Sequence, residues 1–515
     1  MEVKNINKND FTPKTTFGVL GICGIVGNLV ARVLKDKGYN VIGSDLSKKH
    51  DCKFLNSLDS YDIKIYYESH PEEFFNNSDY IFYPPGISKS LDIFKTIKEK
   101  NIPILEIDDI FQLFKPEKPV LGITGTNGKT TTTMLLKFIA YENGLNPSEH
   151  NLLDMQGNSD YIPALQSLLK GDVAIIEVGT FGNKGGIDLT TKLSKMDCGI
   201  ITNITPDHLE LGKDFINYAD IKGEMIQNLN GKKLIVNSND PTIMGLIKKN
   251  NFNGDLITFA VDTVVSKKSK KQCVCGNDMN INEIISGSGY YECVCGLKNI
   301  KTNYTAYDID LKNNSFLLNT PEGYFEVKML LEGMHNVFNI TGAIVASREF
   351  LKLSYDDILK SISEFNSVPG RMEIMGVIND KKVIVDYAHN PGGVETVLKE
   401  FKNIYGDFTL ILTVSSESGF KGDEKIFDIA LRFAKYIIPV SKSSQKVAIS
   451  KIKENQDLKE KIILEDMESD FEKEGTLGAR KEDVVNGFKK SLETDTSTII
   501  AIGEAAVKFK SLFNI

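Results

Sequence analysis

Tryptophan is absent from this 515-residue chain, and the absence carries no functional reading. A basic excess is also missing: 69 acidic residues against 61 lysines and arginines leave a net charge of −8. That balance excludes the positive footprint of a nucleic-acid binder, and the lysine-rich stretches read as solvated faces. No apolar run is long enough to span a membrane. One stretch imitates a targeting signal, because Lys4, Lys8 and Lys14 precede the apolar run from Phe17 to Val30. That run holds four glycines and Asn28, and the strand pattern Val41-Ile42-Gly43 follows it. A strand–turn–helix unit is therefore expected there, with export as the alternative. A secreted disulfide framework is lacking too. Of seven cysteines, four cluster at Cys273, Cys275, Cys293 and Cys295, while Cys23, Cys52 and Cys198 read as small buried residues. A cytoplasmic protein with no membrane or nucleic-acid partner is expected.

What is present is α/β rhythm over a length that suggests about three domains. The chain is organised around Val120-Leu121-Gly122-Ile123-Thr124-Gly125-Thr126-Asn127-Gly128-Lys129-Thr130-Thr131-Thr132. It reads as a buried strand, a glycine turn and the first turn of a helix. Gly125 and Gly128 let backbone N–H groups and a helix N-terminus face one anion. Lys129 is placed to neutralise outer phosphates and the Thr130 hydroxyl to hold Mg²⁺. The strict phosphate-loop pattern wants its first glycine at position 123, which is Ile123, so a chance match is the alternative.

Ahead of this loop, strand, turn and helix repeat from Phe17 to about Pro116. Gly21, Gly24 and Gly27 lie in the first turn and Asp45 ends the second strand. This resembles a dinucleotide-binding layout, although the spacing is Gly-x-x-Gly-x-x-Gly, so it supports a doubly wound domain better than a particular ligand. Tyr83-Pro84-Pro85-Gly86 reads as a strand end with a ligand-facing or purely structural turn. After the phosphate loop come Gly157-Asn158, a strand ending at Glu177, and Cys198 to Ile204 running into Thr205-Pro206-Asp207-His208. A carboxylate ending a strand beside a phosphate loop suits Mg²⁺; an exposed strand-end glutamate is the alternative. His208 at a carboxyl strand edge can reach a metal or phosphate. Lys222 read alone is a surface charge, since a protonated amine has no lone pair for a metal.

From Val264 to Lys301 the rhythm breaks. Cys273-Val274-Cys275-Gly276 and Cys293-Val294-Cys295-Gly296 read as two knuckles at the ends of a short hairpin, bringing four thiolates together for tetrahedral zinc. Each pair has one intervening residue rather than the usual two, so a metal-free ribbon or a redox role are the alternatives. Beyond it lies Gly333-Met334-His335-Asn336-Val337-Phe338-Asn339 at a helix start, where capping explains one polar residue but not three. The third domain opens near Val368, with Arg371 in a turn and Asp386-Tyr387-Ala388-His389-Asn390-Pro391 closing a buried strand. Strands at Phe408 to Val414, Ile437 to Val440 and Ser497 to Ile502 alternate with helices, so a second doubly wound sheet is expected.

Taken in order, 124–130, 157–158, the strand ending at Glu177, 201–208, the Tyr218–Lys222 unit, 333–339, 370–373 and 386–391 resemble the motifs of the Mur ligase family. These are ATP-dependent enzymes that add amino acids to cell-wall precursors. The glycine offset of the phosphate loop reads as the family's form of it. The first 116 residues look like the UDP-substrate domain of the muramate–alanine ligase branch, with Cys23 where a glycine is expected. The cysteine insertion is similar to the ribbon in the ligase-like subunit of the lipid II amidotransferase. The mixture is most like the archaeal pseudomurein peptide ligases. Ligases that extend folate glutamates or cyanophycin share parts of 386–391 but lack this N-terminal domain.

The resemblance implies three domains: a Rossmann-like UDP-substrate domain (1–116), a central P-loop ATPase domain (117–366, with a four-cysteine ribbon at 264–301), and a Rossmann-like domain (367–515). The last would close over ATP and bind the incoming amino acid. It implies γ-phosphate transfer to a substrate carboxylate, then attack by an amine on the acyl phosphate. ATP would be held by Gly125, Thr126, Asn127, Gly128, Lys129, Thr130 and Thr131, with Asn336 at the adenine, Arg371 at the phosphates and Asp386 at the ribose or hinge. Thr130 and Glu177 would hold one Mg²⁺ and His208 a second, near a CO₂-derived carbamate on Lys222. Gly24 and Asp45 would serve the UDP substrate, Asn158 its carboxylate, and His389 and Asn390 would face the cleft. The expected partners are a UDP-linked peptide precursor and a free amino acid, acting on a monomer. The alternatives are an amidotransferase subunit fed ammonia by a glutaminase partner, and a non-catalytic nucleotide-binding scaffold.

Overall fold

The computed structural model describes residues 7–52, 54–149, 161–180, 183–205, 215–366, 368–414, 419–464 and 478–513. Asn158 and His208 lie outside the described residues, as do 415–418 of the specificity loop expected over Ser415 to Lys425, whose remainder belongs to the helix Gly419–Phe433. The chain divides into two compact units. The first comprises Met1–Thr124, Ala140–Gly199 and Asn228–Lys233, and the second Gly125–Ile139, Ile200–Gln227 and Leu234–Ile515. Among the described residues no helix is long and apolar enough to cross a membrane.

The first unit holds five parallel strands: β1 (Thr16–Leu20), β2 (Asn40–Ser44), β3 (Lys64–Tyr66), β4 (Tyr80–Phe82) and β5 (Ile104–Leu105). Their order is β3-β2-β1-β4-β5. Strand order reverses beside β1, and in such sheets ligands bind outside the carboxyl ends at that point. The sequence supplies the turn there. Gly21 has φ +62°, and a Cβ on Gly27 would lie 2.3 Å from the Gly21 carbonyl oxygen, so only glycine lets the next helix approach this closely. That helix, Ile25–Asp36, buries Leu29, Val30, Val33 and Leu34 completely. The apolar run from Phe17 to Val30 is thus strand, turn and helix. Asp45 braces the turn, accepting the Cys23 N–H at 2.9 Å through Oδ2 and the Ser47 N–H at 2.9 Å through Oδ1.

One sequence expectation is corrected here. Cys23 and Cys52 are buried, as expected of small buried residues, but they are not separate: they form a disulfide, with Cα atoms 4.8 Å apart. The glycine turn and the short helical turn Lys49–Asp51 bring together side chains 29 positions apart. The unit is also tied internally by a buried ion pair, Arg32 to Glu149 at 2.6 Å. Its strand Val120–Thr124 pairs in parallel with Ala174–Glu177, register Ile123↔Glu177.

In the second unit the phosphate loop runs into helix Lys129–Glu142, whose residues to Ile139 belong to this unit. Strand Asp255–Val261 pairs in parallel with Tyr304–Asp310. Ser315–Thr320 and Gly323–Lys328 then continue that sheet antiparallel, an addition the sequence reading did not include.

The cysteine insertion is a three-stranded antiparallel sheet, Lys267–Gln272, Asp278–Ile285 and Ser288–Glu292, rather than a hairpin. Its outer strands run the same way, so both Cys-x-Cys-Gly knuckles leave the sheet at one end. That direction, rather than the single-residue spacing, gathers the thiols.

The C-terminal sheet has strands Glu373–Ile378, Lys381–Asp386, Thr409–Leu412, Tyr436–Pro439 and Thr498–Ile502, in the order first, second, fifth, third, fourth. The first pairs antiparallel and the rest are parallel. Apolar clusters cover both faces. This is the second doubly wound sheet expected from the alternating pattern.

Candidate active site

The phosphate loop is moulded by contacts that only glycine permits. At Gly125, φ is +146° and a Cβ would stand 2.0 Å from Thr202 Oγ1 and 3.0 Å from the Asn203 carbonyl oxygen. At Gly128, φ is +83° and a Cβ would stand 2.2 Å from Asn339 Oδ1. The loop backbone is held from the strand end at 202–205. Thr126 N–H donates to the Asn203 carbonyl at 2.8 Å and Asn127 N–H to Asn203 Oδ1 at 3.0 Å. Thr202 Oγ1 and Asn203 Nδ2 both donate to the Asn127 carbonyl, at 2.6 and 2.9 Å. Lys129 folds back, its Nζ 2.9 Å from the Thr126 carbonyl. The loop is therefore preshaped, and its lysine lies beside it.

Opposite the loop stand groups more than 200 residues on. Arg371 Nη2 donates to Thr130 Oγ1 at 3.3 Å and stacks its guanidinium 4.8 Å from the Tyr387 ring centroid. Asn390 Nδ2 donates to Asn127 Oδ1 at 3.2 Å. Asp386 is buried. Its Oδ2 accepts the Met372 N–H at 2.8 Å and its Oδ1 the Ala388 N–H at 2.7 Å, so it fastens the Arg371 turn to the strand end. Burial pushes its carboxyl above the usual range, against the opposing pull of Arg371. His389 points one ring nitrogen at the Tyr387 carbonyl, 3.1 Å away.

Part of this set lines one cavity, while Gly125, Thr126, Lys129, His389 and Asn390 are not among its lining residues. Asn127, Gly128, Thr130 and Thr131 form the floor, His335, Asn336 and Asn339 one side, and Arg371, Asp386 and Gly393 the facing wall. Asn336 is not the helix cap. Gly333 caps the helix Met334–Glu349, and Asn336 donates to the Glu332 carbonyl at 2.8 Å while accepting from Asn339 Nδ2 at 3.1 Å. His335 reaches across, its Nδ1 2.5 Å from Glu400 Oε2. Burial works against its charge, but Glu400 prevails and raises its pKa.

Besides Asn237, Phe259 and Leu331, two lining groups outside the expected motifs escaped the sequence reading. One is the ribbon tip, Ile285, Ser286 and Ser288; the other is Thr396 with Val397 on the helix Pro391–Tyr405. The serines and Thr396 stand outside every motif, and only the fold brings them here.

Other expected residues lie elsewhere. Glu177 ends its strand 8% exposed, with Oε2 buried and without a hydrogen-bond partner, so it is not an exposed strand-end glutamate. A carboxylate oxygen left unpaired in the interior fits a divalent cation. Lys222, on helix Phe215–Asn228, is 2% exposed with Nζ 5.7 Å from the Tyr218 ring centroid, which corrects the surface-charge reading. Helix packing buries it. Gly24 caps the first helix of the N-terminal sheet, near Asp45 in the first unit. In the ribbon, Cys273 Sγ lies 3.9 Å from Cys295 Sγ and Cys275 Sγ 3.7 Å from Cys293 Sγ. All four sulfurs fall within 4.8 Å of one another. That set suits a thiophilic ion, because four thiolates can close a tetrahedron. The Asn277 backbone and amide groups lower the Cys275 pKa to about 6.

Comparison with known proteins agrees with this geometry. Residues 123–347 match the Mur ligase middle domain, and residues 370–502 the Mur ligase, glutamate ligase domain. The structure of a pseudomurein peptide ligase type C from Methanothermus fervidus is 34% identical. It superposes with a TM-score of 0.82 over 97% of this chain and 99% of its own. The UDP-N-acetylmuramate–alanine ligase of Thermotoga maritima shares the fold at 18% identity and a TM-score of 0.60, over 97% and 98% of the two chains. In sequence, the UDP-N-acetylmuramate–L-alanine ligase of Clostridium acetobutylicum is 27% identical over 404 residues, covering 77% of this chain and 75% of the relative. Such ligases are three-domain α/β enzymes that form amide bonds at the expense of ATP. This chain belongs to the Mur ligase family.

Proposed function

We propose that this chain is an ATP-dependent peptide ligase that adds an amino acid to a UDP-linked precursor of pseudomurein type. The observation that carries the reading is the cavity where the glycine loop, Asn336 and Arg371 converge. It is joined by the full-length likeness to a pseudomurein peptide ligase. The N-terminal five-stranded sheet supports an acceptor of its own and argues against an amidotransferase subunit.

In this reading Gly125, Thr126, Asn127, Gly128, Lys129, Thr130 and Thr131 cradle the phosphates of ATP, and Asn336 meets the base. Arg371 gives up the Thr130 hydroxyl and turns its fork to the transferring phosphoryl group, where fixed positive charge stabilises the developing charge. Thr130 and Glu177 are the ligands we assign to Mg²⁺, which supplies charge neutralisation on the phosphates. His208 and a carbamate on the buried Lys222 are assigned to a second ion. Asp386, through its two backbone bonds, holds the Arg371 turn rigid. His389 and Asn390 face the acceptor and amine, Asn158 the acceptor carboxylate, and Gly24 with Asp45 the UDP group. Closure of the residues from 367 onward would exclude water from the acyl phosphate. The ribbon thiols are assigned to structural zinc. A cytoplasmic monomer, with domains at 1–116, 117–366 and 367–515, completes the proposal.

Hydroxylamine trapping tests the chemistry. Incubation with Mg·ATP, a UDP-linked glutamyl peptide and hydroxylamine should yield the acceptor hydroxamate and ADP in equal amounts. ADP without hydroxamate would refute an acyl-phosphate route.

A further inference from the structure

The ribbon is built as more than a metal knuckle. Lys271, on its first strand, is buried and donates to Asp240 Oδ1 at 3.0 Å, to the Ile204 carbonyl at 3.0 Å and to the Gly287 carbonyl at 3.1 Å. Asp240, with no exposure at all, also accepts the Ile204 N–H at 2.6 Å. A buried lysine with three acceptors ties the Gly287 turn to Asp240 and Ile204, since any other pose strands a charge away from water. The turn that holds Gly287, between Asp278–Ile285 and Ser288–Glu292, also lies at the nucleotide cavity. There Ser286 Oγ makes two contacts with the helix Pro391–Tyr405. It lies 3.2 Å from the Gly392 carbonyl and 2.8 Å from Thr396 Oγ1. A second bond joins the same elements, Lys267 Nζ to Glu395 Oε2 at 3.1 Å, though its partial exposure makes it the weaker tie.

We propose that the ribbon tip is the seat on which the C-terminal domain docks when the nucleotide cleft is closed, with Ser286 the positioning residue that holds it there. Both contacts of the Ser286 hydroxyl are to the helix, so it acts through the position of that helix. The helix begins directly after Asn390, which bonds Asn127 of the loop. A tilt of its first turn therefore shifts Asn390 in register with the loop. The inference rests on the nucleotide-cleft reading above.

The test uses the full chain with Mg²⁺ and a non-hydrolysable ATP analogue, comparing wild type, Ser286→Ala and Ser286→Thr. One arm follows amide hydrogen exchange in residues 391–397. The loss of one neutral hydrogen bond should raise exchange there by roughly 3–10-fold in Ser286→Ala. A second arm reads kcat/KM for ATP, which should fall by the same factor. Ser286→Thr, which keeps the hydroxyl, should match wild type in both. Unchanged exchange in Ser286→Ala, or a threonine variant as impaired as the alanine one, would overturn the proposal. If wild type makes no ADP with any acceptor, the ligase reading fails alone, because the exchange arm still decides the docking.

Discussion

Substituting Gly125 by alanine separates a phosphate loop from an ordinary turn. The backbone there is at φ +146°, which an L-residue rarely adopts, and the new methyl would sit 2.0 Å from Thr202 Oγ1. Strain of that kind costs about 1–3 kcal/mol. The hydroxyl cannot simply swing away, because it donates to the Asn127 carbonyl at 2.6 Å. Nor can the backbone yield cheaply, since the Asn203 carbonyl oxygen is 3.0 Å from the same point. Losing one such bond adds about 1 kcal/mol, so roughly 2–4 kcal/mol falls on the loop conformation that would hold the phosphates. At 1.4 kcal/mol per decade this is a loss of about 30- to 700-fold in nucleotide affinity. The control is Gly144→Ala. Its φ is +78°, but nothing lies within 4 Å of the new Cβ, so strain is expected without loss of binding. Calorimetric titration with Mg·ATP analogue reads both, beside thermal melts to confirm folding. Wild-type affinity in a folded Gly125→Ala variant would refute the account of the loop.

Lys271→Met should leave Asp240 without its charge partner in the interior and cost about 3 kcal/mol in urea unfolding. A change below about 0.5 kcal/mol would show that the pair anchors nothing. His335→Gln should flatten the pH dependence of stability. The His335 pKa is raised in the folded chain, so its charge contact with Glu400 contributes fully below pH 6.5 and is lost as pH rises through the raised value. Identical melt-versus-pH curves for variant and wild type would count against this contact. Lys222→Ala should be severely impaired and partly rescued by short carboxylates, whereas full activity without rescue would show that no carbamate is needed. Metal analysis of purified chain should find about one zinc per molecule, lost in Cys275→Ser with Cys295→Ser; a metal-free ribbon would give none.

Much of the fold was legible because glycine turns and strand periodicity are local signals. Gly21, Gly24 and Gly27 announced the first turn, and 124–130 the loop, since the geometry each demands is written in a few adjacent residues. What failed was tertiary. Lys222 reads as a surface charge until packing places it inside, and Asn336 resembles a cap until Gly333 takes that position. The Cys23–Cys52 disulfide joins segments that look unrelated along the chain. Ser286 and Thr396 carry no motif, because a serine in a hairpin turn and a threonine in a helix are ordinary there. Their meeting depends on how the insertion is aimed, and that direction is fixed by Lys271 and Asp240, a buried pair 31 positions apart.

The central claim is that ATP cleavage here joins an amino acid to a UDP-linked acceptor. The direct measurement is phosphate release across all amino acids with a set of UDP-linked glutamyl peptides, with products weighed by mass spectrometry. The account predicts one or a few amino acids giving ADP, phosphate and an amide product in equal amounts. Phosphate release unaccompanied by any gain in acceptor mass, or no release with any pair, would contradict it.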